Sequence, residues 1–381
     1  METIEALSSQ HSARIQEIQQ LRKRGTKVVG YIPNGYLPEE MIYAAGAVPA
    51  ALLRGGDPEP VAVAAPYLGR FLDPFCRAQI GYHFLQEETL YQMLDLLVVP
   101  VTDIHVRAIA DSWDFYTQVE VFRLGVPHIK TESARDYYRD SLKLLKERLE
   151  NLTGIRITEE KLRREIQKSN QIRELFREIS FSRKADPPPI LGKEFIQFQH
   201  QSFFLNPDPA IEALQRLRQE VKERKPVGAG RPRILLIGST LARGDYKVLE
   251  LVEETGAAVV AEEFSEGMRD YWHDVSLQGD PFQGLAETYF EKRIPPAFFR
   301  GVVQERFAFF MKLIQDFRVS GVIWYSLLYR ECYDVEGCIF RRHLEKFQVP
   351  LLAISSGYEA SERGTMRTRI ETFLEALKRG K

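Results

Sequence analysis

Asp95-Leu96-Leu97-Val98-Val99-Pro100-Val101 is the stretch on which the reading of the fold turns. Its apolar residues run on without alternating with polar ones. That is the pattern of a strand covered on both faces, as in a parallel sheet with helices on either side. Two shorter strands precede it. Lys27-Val28-Val29-Gly30-Tyr31 is broken by Pro33-Asn34-Gly35, and Val48 to Leu53 is closed by Gly55-Gly56. Between them Pro38-Glu39-Glu40 opens a helix with proline and acids in its first turn. That helix carries Met41, Ile42, Ala44 and Ala45 and ends near Gly46. Strand, helix, strand in this rhythm predicts a parallel sheet. A charged helix over residues 12–24 leads into it.

Downstream the period changes. Tyr138, Leu142, Leu145 and Leu149 recur at helical spacing between Tyr137 and Leu152, as do Leu162, Ile166, Leu175 and Ile179 between Glu159 and Ile179. These are core stripes. Asp186-Pro187-Pro188-Pro189 is a stiff break, Ala210 to Arg224 is a further helix, and Lys225 to Arg233 reads as a linker. A second sheet unit then begins. Its strands are expected at 234–238, 257–261, 321–325 and 350–354. Its helices are expected at 246–254, 307–317, 338–347 and 368–378. The expected organisation is α/β, with an N-terminal sheet domain over 1–135, a helical segment with linker over 136–230, and a C-terminal sheet domain over 231–381. The two sheet units share an order of elements, without a residue-level repeat.

A chain of 381 residues exceeds what one core usually supports. The formal net charge is −1 and no strongly basic patch stands out, so nucleic acid is not expected as a partner. No apolar run reaches the roughly 18 residues of a membrane span. The polar first 24 residues lack the apolar core of a secretory signal. A cytoplasmic location is the expectation. The three cysteines, Cys76, Cys332 and Cys338, are too few and too odd in number for a disulfide framework. The six-residue step between Cys332 and Cys338 is no zinc spacing.

Chemistry-bearing motifs are sparse. Gly238 to Gly244 follows a strand and precedes a helix, where backbone N–H groups can hold an anion, but it is neither a dinucleotide fingerprint nor a P-loop. Glu262 and Glu263 lie just past the next expected strand, as ribose-binding acids do and as solvated strand ends also do. There is no serine-hydrolase elbow and no zinc helix. His105 falls near the end of the third strand, although a lone histidine is more often a hydrogen-bonded structural one. Cys76 lies in Asp73-Pro74-Phe75-Cys76-Arg77, Asp103 follows the third strand, and Cys332 follows the strand Gly321 to Tyr325. These are potential metal ligands at sheet ends in both units, facing one inter-domain cleft.

Several segments, in order along nearly the whole chain, resemble the 2-hydroxyglutaryl-CoA dehydratase and benzoyl-CoA reductase family. Val29 to Pro33 followed by Pro38 to Pro49 is similar to the family's opening, a strand followed by P-x-E-x-x-x-A-A-G-x-x-P. Cys76 falls at the family's first cluster cysteine. Gly267 to Pro281, with Arg269, resembles its G-x-R … D-P region. Gly364 to Glu375 is similar to its ending, G-Q-x-x-T-R-I-E-A-F-L-E.

The resemblance implies two Rossmann-like parallel-sheet domains with an intervening helical segment, and a [4Fe–4S] cluster held between them by three cysteines. It implies pairing with a paralogous subunit, usually as a heterodimer, or with a second copy of the chain. It also implies an ATP-dependent activator that delivers low-potential electrons, and an acyl-CoA substrate that is dehydrated by a lyase or reduced by an oxidoreductase under anaerobic conditions. Protein groups would then tune the cluster and exclude water.

The departures from the family pattern concern the ligands. The second cysteine, in P-x-x-C-D, falls on Asp103 here, and carboxylate is a harder ligand than thiolate. Cys332 is nearest to the third. Measured from Tyr333 and Glu336 it is displaced by two residues, and Arg330 takes the family's cysteine position. Cys338 has no counterpart. Three readings stand. In the first, Cys76, Asp103 and Cys332, with Cys338 spare or substituting, hold an atypical cluster. In the second, the chain is a partner subunit with its cluster lost or changed. In the third, it is a two-lobed acyl-CoA binding module without redox chemistry. Arg243, Arg269 and Arg330 are candidates for contacts to CoA phosphates, the alternative for each being an ordinary surface arginine.

Overall fold

The computed structural model describes residues 1–379, the side chains of residues 8–10 excepted. Its architecture rests on two four-stranded sheets. The first is built from β1 (Val28–Tyr31), β2 (Val48–Ala51), β3 (Leu96–Val101) and β4 (Glu120–Gly125), in the order β2-β1-β3-β4. The second is built from β5 (Arg233–Gly238), β6 (Ala258–Glu263), β7 (Gly321–Leu327) and β8 (Leu351–Ser356), in the order β6-β5-β7-β8. Every pairing is parallel. The two units therefore repeat one topology, as the shared order of elements suggested. The central strands β3, β5 and β7 are buried along nearly their whole length because helices cover both faces, which is why their sequences are unbroken apolar runs.

Between the units lie four helices, Glu132–Thr153, Glu159–Ser182, Gly192–Ser202 and Pro207–Glu223. The first two bury the stripes Tyr138, Leu142, Leu145, Leu149 and Leu162, Ile166, Leu175, Ile179. Each buried leucine of this kind contributes about 1.5–3 kcal/mol. No helix among the described residues is long and apolar enough to cross a membrane.

Three expectations are corrected. β4, absent from the sequence reading, is a half-exposed edge strand whose Glu120-Val121-Phe122-Arg123 carries little apolar signal. β6 runs on through Glu262 and Glu263, so both acids lie inside a buried strand rather than beyond its end. They are held there by buried arginines. Arg183 meets Glu262 at 2.6 Å, and Glu263 takes Arg269 and, at 3.8 Å, Arg306. They are structural ion pairs, neither ribose ligands nor a solvated strand end. The helix expected from Cys338 starts at Glu331 instead, so Cys332 and Cys338 share one helix.

The sheet units touch directly. The N–H of Gly55 donates to the Arg243 carbonyl (3.0 Å) and the Arg243 N–H to that of Leu53 (2.9 Å). Gly56 has φ +93°, and a β-carbon there would meet the Gly244 backbone at 2.6 Å, so glycine is required for this approach.

Candidate functional site

Parallel strands present all their carboxyl ends on one edge. In an order such as β2-β1-β3-β4, the crevice opens between β1 and β3, where successive connections leave in opposite directions. The same crevice opens between β5 and β7. Asn34 follows β1, Thr102 and Asp103 follow β3, Thr240 follows β5, and Arg330 follows β7. The two crevices face each other. Between them lies a cavity of about 20 Å³ whose lining includes Asn34, Cys76, Thr102, Glu266, Arg330 and Tyr333.

Three helices begin at this point, and their N-terminal residues meet. Asp73 caps Pro74–Leu85, accepting from the Cys76 N–H at 2.8 Å. Asp103 caps Ile104–Tyr116, accepting from the N–H groups of His105 (2.9 Å) and Val106 (3.1 Å). Aspartate at these positions satisfies otherwise unpaired amides. Arg330 immediately precedes the third helix, Glu331–Glu345. Its Nη1 donates to Asp73 Oδ2 (3.2 Å) and Asp103 Oδ1 (3.1 Å), and its Nη2 to Asp103 Oδ2 (3.2 Å). All three side chains are largely buried, at 7%, 2% and 11% exposure for Arg330, Asp73 and Asp103.

Electrostatics follow from the contacts. Burial by itself would raise the Asp103 carboxyl and lower the Arg330 guanidinium. The opposite charges outweigh burial, so Asp103 sits below the usual carboxylate range and Arg330 well above its ordinary value. Burial pushes the Cys76 thiol well up, the Asp73 carboxylate adds to this, and Arg330 opposes it only in part. Burial and the Asp73 carboxylate therefore favour the neutral form of the Cys76 thiol.

The four sequence candidates for metal ligation do not converge. Cys76 and Asp103 belong to the Arg330 cluster, while Cys332 and Cys338 are exposed. Burial and the Asp103 and Glu331 carboxylates raise the Cys332 thiol, against Arg330. Among the described residues no group of three or more His, Cys, Asp or Glu is placed to hold a metal ion. Both oxygens of Asp103 already accept from Arg330. The residues present do not fit a three-cysteine cluster.

The arginine candidates separate. Arg330 is engaged as described. Arg269 is buried against Glu263 and donates to Ser265 Oγ at 3.0 Å. Arg243 is partly exposed, donates to Glu88 at 2.8 Å, and shares that carboxylate with Arg54 (2.9 Å).

Some groups at the site carry no sequence signal of function. Asn34 donates to the Pro100 carbonyl at 2.7 Å, which leaves its buried Oδ1 without a hydrogen-bond partner. Burial lifts Glu266 to about 7, against the Leu241 N–H and Arg269. His105 Nδ1 accepts from the Asp73 N–H at 3.1 Å. Asp73, in the Asp-Pro pair of a helix start, and His105, near the end of the third strand, had readable cues.

Known proteins resemble this chain along nearly its whole length. The family model for the 2-hydroxyglutaryl-CoA dehydratase D-component matches residues 34–377. Among similar proteins, "Putative dehydratase subunit YjiM" of Escherichia coli (strain K12) is 25% identical, with 94% of each sequence covered. A benzoyl-CoA reductase subunit of Thauera aromatica is 22% identical, over 92% of this chain and 91% of its own. (R)-2-hydroxyglutaryl-CoA dehydratase subunit beta of Acidaminococcus fermentans is 22% identical, over 93% and 94%.

Proposed function

The chain belongs to the 2-hydroxyglutaryl-CoA dehydratase D-component family, and from that premise we propose that it is one subunit of an acyl-CoA dehydratase or acyl-CoA reductase, working beside a related chain. The observation that carries this reading is the crevice between the two sheet units, where strand ends of both converge on Asn34, Thr102, Glu266 and Tyr333. Open parallel sheets bind their ligands at this edge.

In this reading the acyl end of a CoA thioester lies at the mouth of the crevice, whose cavity of about 20 Å³ has room for only a small polar group. The unpaired Oδ1 of Asn34 accepts a hydrogen bond from the hydroxyl group of a 2-hydroxyacyl thioester, and Glu266, raised toward neutrality, gives or takes a proton. Arg243, the partly exposed arginine of the three candidates, serves the CoA phosphates by exchanging Glu88 for them. Low-potential electrons from an ATP-dependent activator enter the complex as a whole rather than being assigned to this chain.

The test is a calorimetric titration of the anaerobically purified chain, alone and with its related subunit, using a 2-hydroxyacyl-CoA, benzoyl-CoA and free CoA. Saturable thioester binding that weakens in Asn34→Leu and Arg243→Ala supports the reading. Absence of binding to both the chain and the complex sinks it.

A further inference from the structure

We propose that the Arg330 guanidinium stands where an iron–sulfur cluster would be held, so that this chain is a redox-silent subunit by construction. The three positions to which the family resemblance assigns cluster cysteines are Cys76, Asp103 and Arg330. They are distant in sequence, yet the fold brings them to one place. Cys76 lies in the first turn of the helix capped by Asp73, Asp103 caps the next, and Arg330 opens the third. Cys76 and Arg330 line one cavity, and Arg330 bonds Asp103 directly.

The convergence is that of a ligand site, but its chemistry is different. A guanidinium has five N–H donors and no lone pair to give a metal. Both oxygens of Asp103 accept from that guanidinium, and Oδ1 also caps the helix. Asp73 divides its two oxygens between the Cys76 N–H and Arg330. Cys76, alone of the three, retains a thiol, the carboxylate of Asp103 being taken up by Arg330, and one thiol does not hold a cluster.

The replacement is also complete as a structure. Three helix N-termini carry partial positive charge toward one point, and a cation added there alone would be repelled. Asp73 and Asp103 supply the negative charge that lets Arg330 remain buried. The guanidinium and two carboxylates thus tie the two sheet units together without iron. Any metal redox centre of the complex then resides in another subunit.

This inference rests on the family membership stated above and not on thioester binding, so an acyl-CoA titration and an iron measurement fail independently. The full-length chain and its Asp103→Cys/Arg330→Cys variant are purified without oxygen and treated with ferrous iron, sulfide and reductant. Iron, acid-labile sulfide and visible absorbance are then read per chain. The wild-type chain is expected to stay colourless with no iron above background. The double variant, with Cys76 retained, is expected to gain about four iron and four sulfide and to lose them on Cys76→Ser. Stoichiometric iron in the wild type, lost in Cys76→Ser, overturns the proposal. So does a double variant with unchanged circular dichroism and a single melting transition that takes up no iron, because the position is then not a cluster position.

Discussion

Arg330 grips Asp103 with both arms of its guanidinium, Nη1 at 3.1 Å from Oδ1 and Nη2 at 3.2 Å from Oδ2, and so pins the C-terminal sheet unit to the N-terminal one at their facing strand ends. Its removal strands two buried carboxylates, Asp73 and Asp103. Breaking a buried pair from one side costs about 3–5 kcal/mol. Arg330→Met is therefore expected to lower the urea unfolding free energy by that order. Arg330→Lys, which keeps the charge but not the fork, should fall between. Asp73→Asn/Asp103→Asn/Arg330→Met should recover much of the loss. A single Arg330→Met that unfolds like wild type would show that the contact contributes nothing.

Thiol chemistry offers a second check. Cys332 and Cys338 are exposed and Cys76 is buried with its thiol pushed well up. Alkylation of the native chain by a maleimide should modify Cys332 and Cys338 within minutes, and Cys76 only after denaturant is added. Peptide mass mapping reads this directly. Native labelling of Cys76 at a comparable rate would contradict its burial.

Stability should depend on pH through Glu39. Burial, with the nearby Asp270 carboxylate, pushes its carboxyl from 4.5 to about 8, while the Tyr31 hydroxyl donates to it and opposes the shift. The folded chain then keeps a proton that the unfolded chain releases. The corresponding stability is complete below 4.5 and is lost as pH rises through about 8. Glu253 and Glu266, both near 7, act in the same direction. The melting temperature should fall across this window, and Glu39→Gln should reduce the slope without abolishing it. An unchanged slope in that variant would remove Glu39 from the account.

The end of β5 tolerates no side chain. A β-carbon on Gly238 would run into the Tyr325 carbonyl of β7, and neither strand can move away without losing ladder bonds. Overpacking of this kind costs about 1–3 kcal/mol or more. Gly238→Ala should therefore lower the unfolding free energy by at least that amount. Gly256→Ala should cost less. Its φ is positive, unlike that of Gly238, but no atom lies within 4 Å of its would-be β-carbon.

What the sequence settled by itself was whatever local pattern encodes. Unbroken apolar runs such as Leu96 to Val101 announced parallel strands, and helical stripes such as Tyr138 to Leu149 announced the intervening helices. Motifs at both ends of the chain carried the family. β4 escaped because an edge strand needs little apolar surface. Glu262 and Glu263 were misplaced because their partners, Arg183, Arg269 and Arg306, include residues far away in sequence.

The site belonged to the tertiary structure. Cys76, Asp103 and Arg330 could be aligned one by one against a family pattern. That Arg330 closes an ion cluster with Asp73 and Asp103, while Cys332 and Cys338 stay outside it, depends on where three helices begin in space. The raised carboxyl of Glu266 and the unpaired oxygen of Asn34 likewise arise from burial between two sheets that meet only after folding. Spacing along a chain reports which side chains are present. Their charge state and their partners are fixed by desolvation and distance, which only the folded chain supplies.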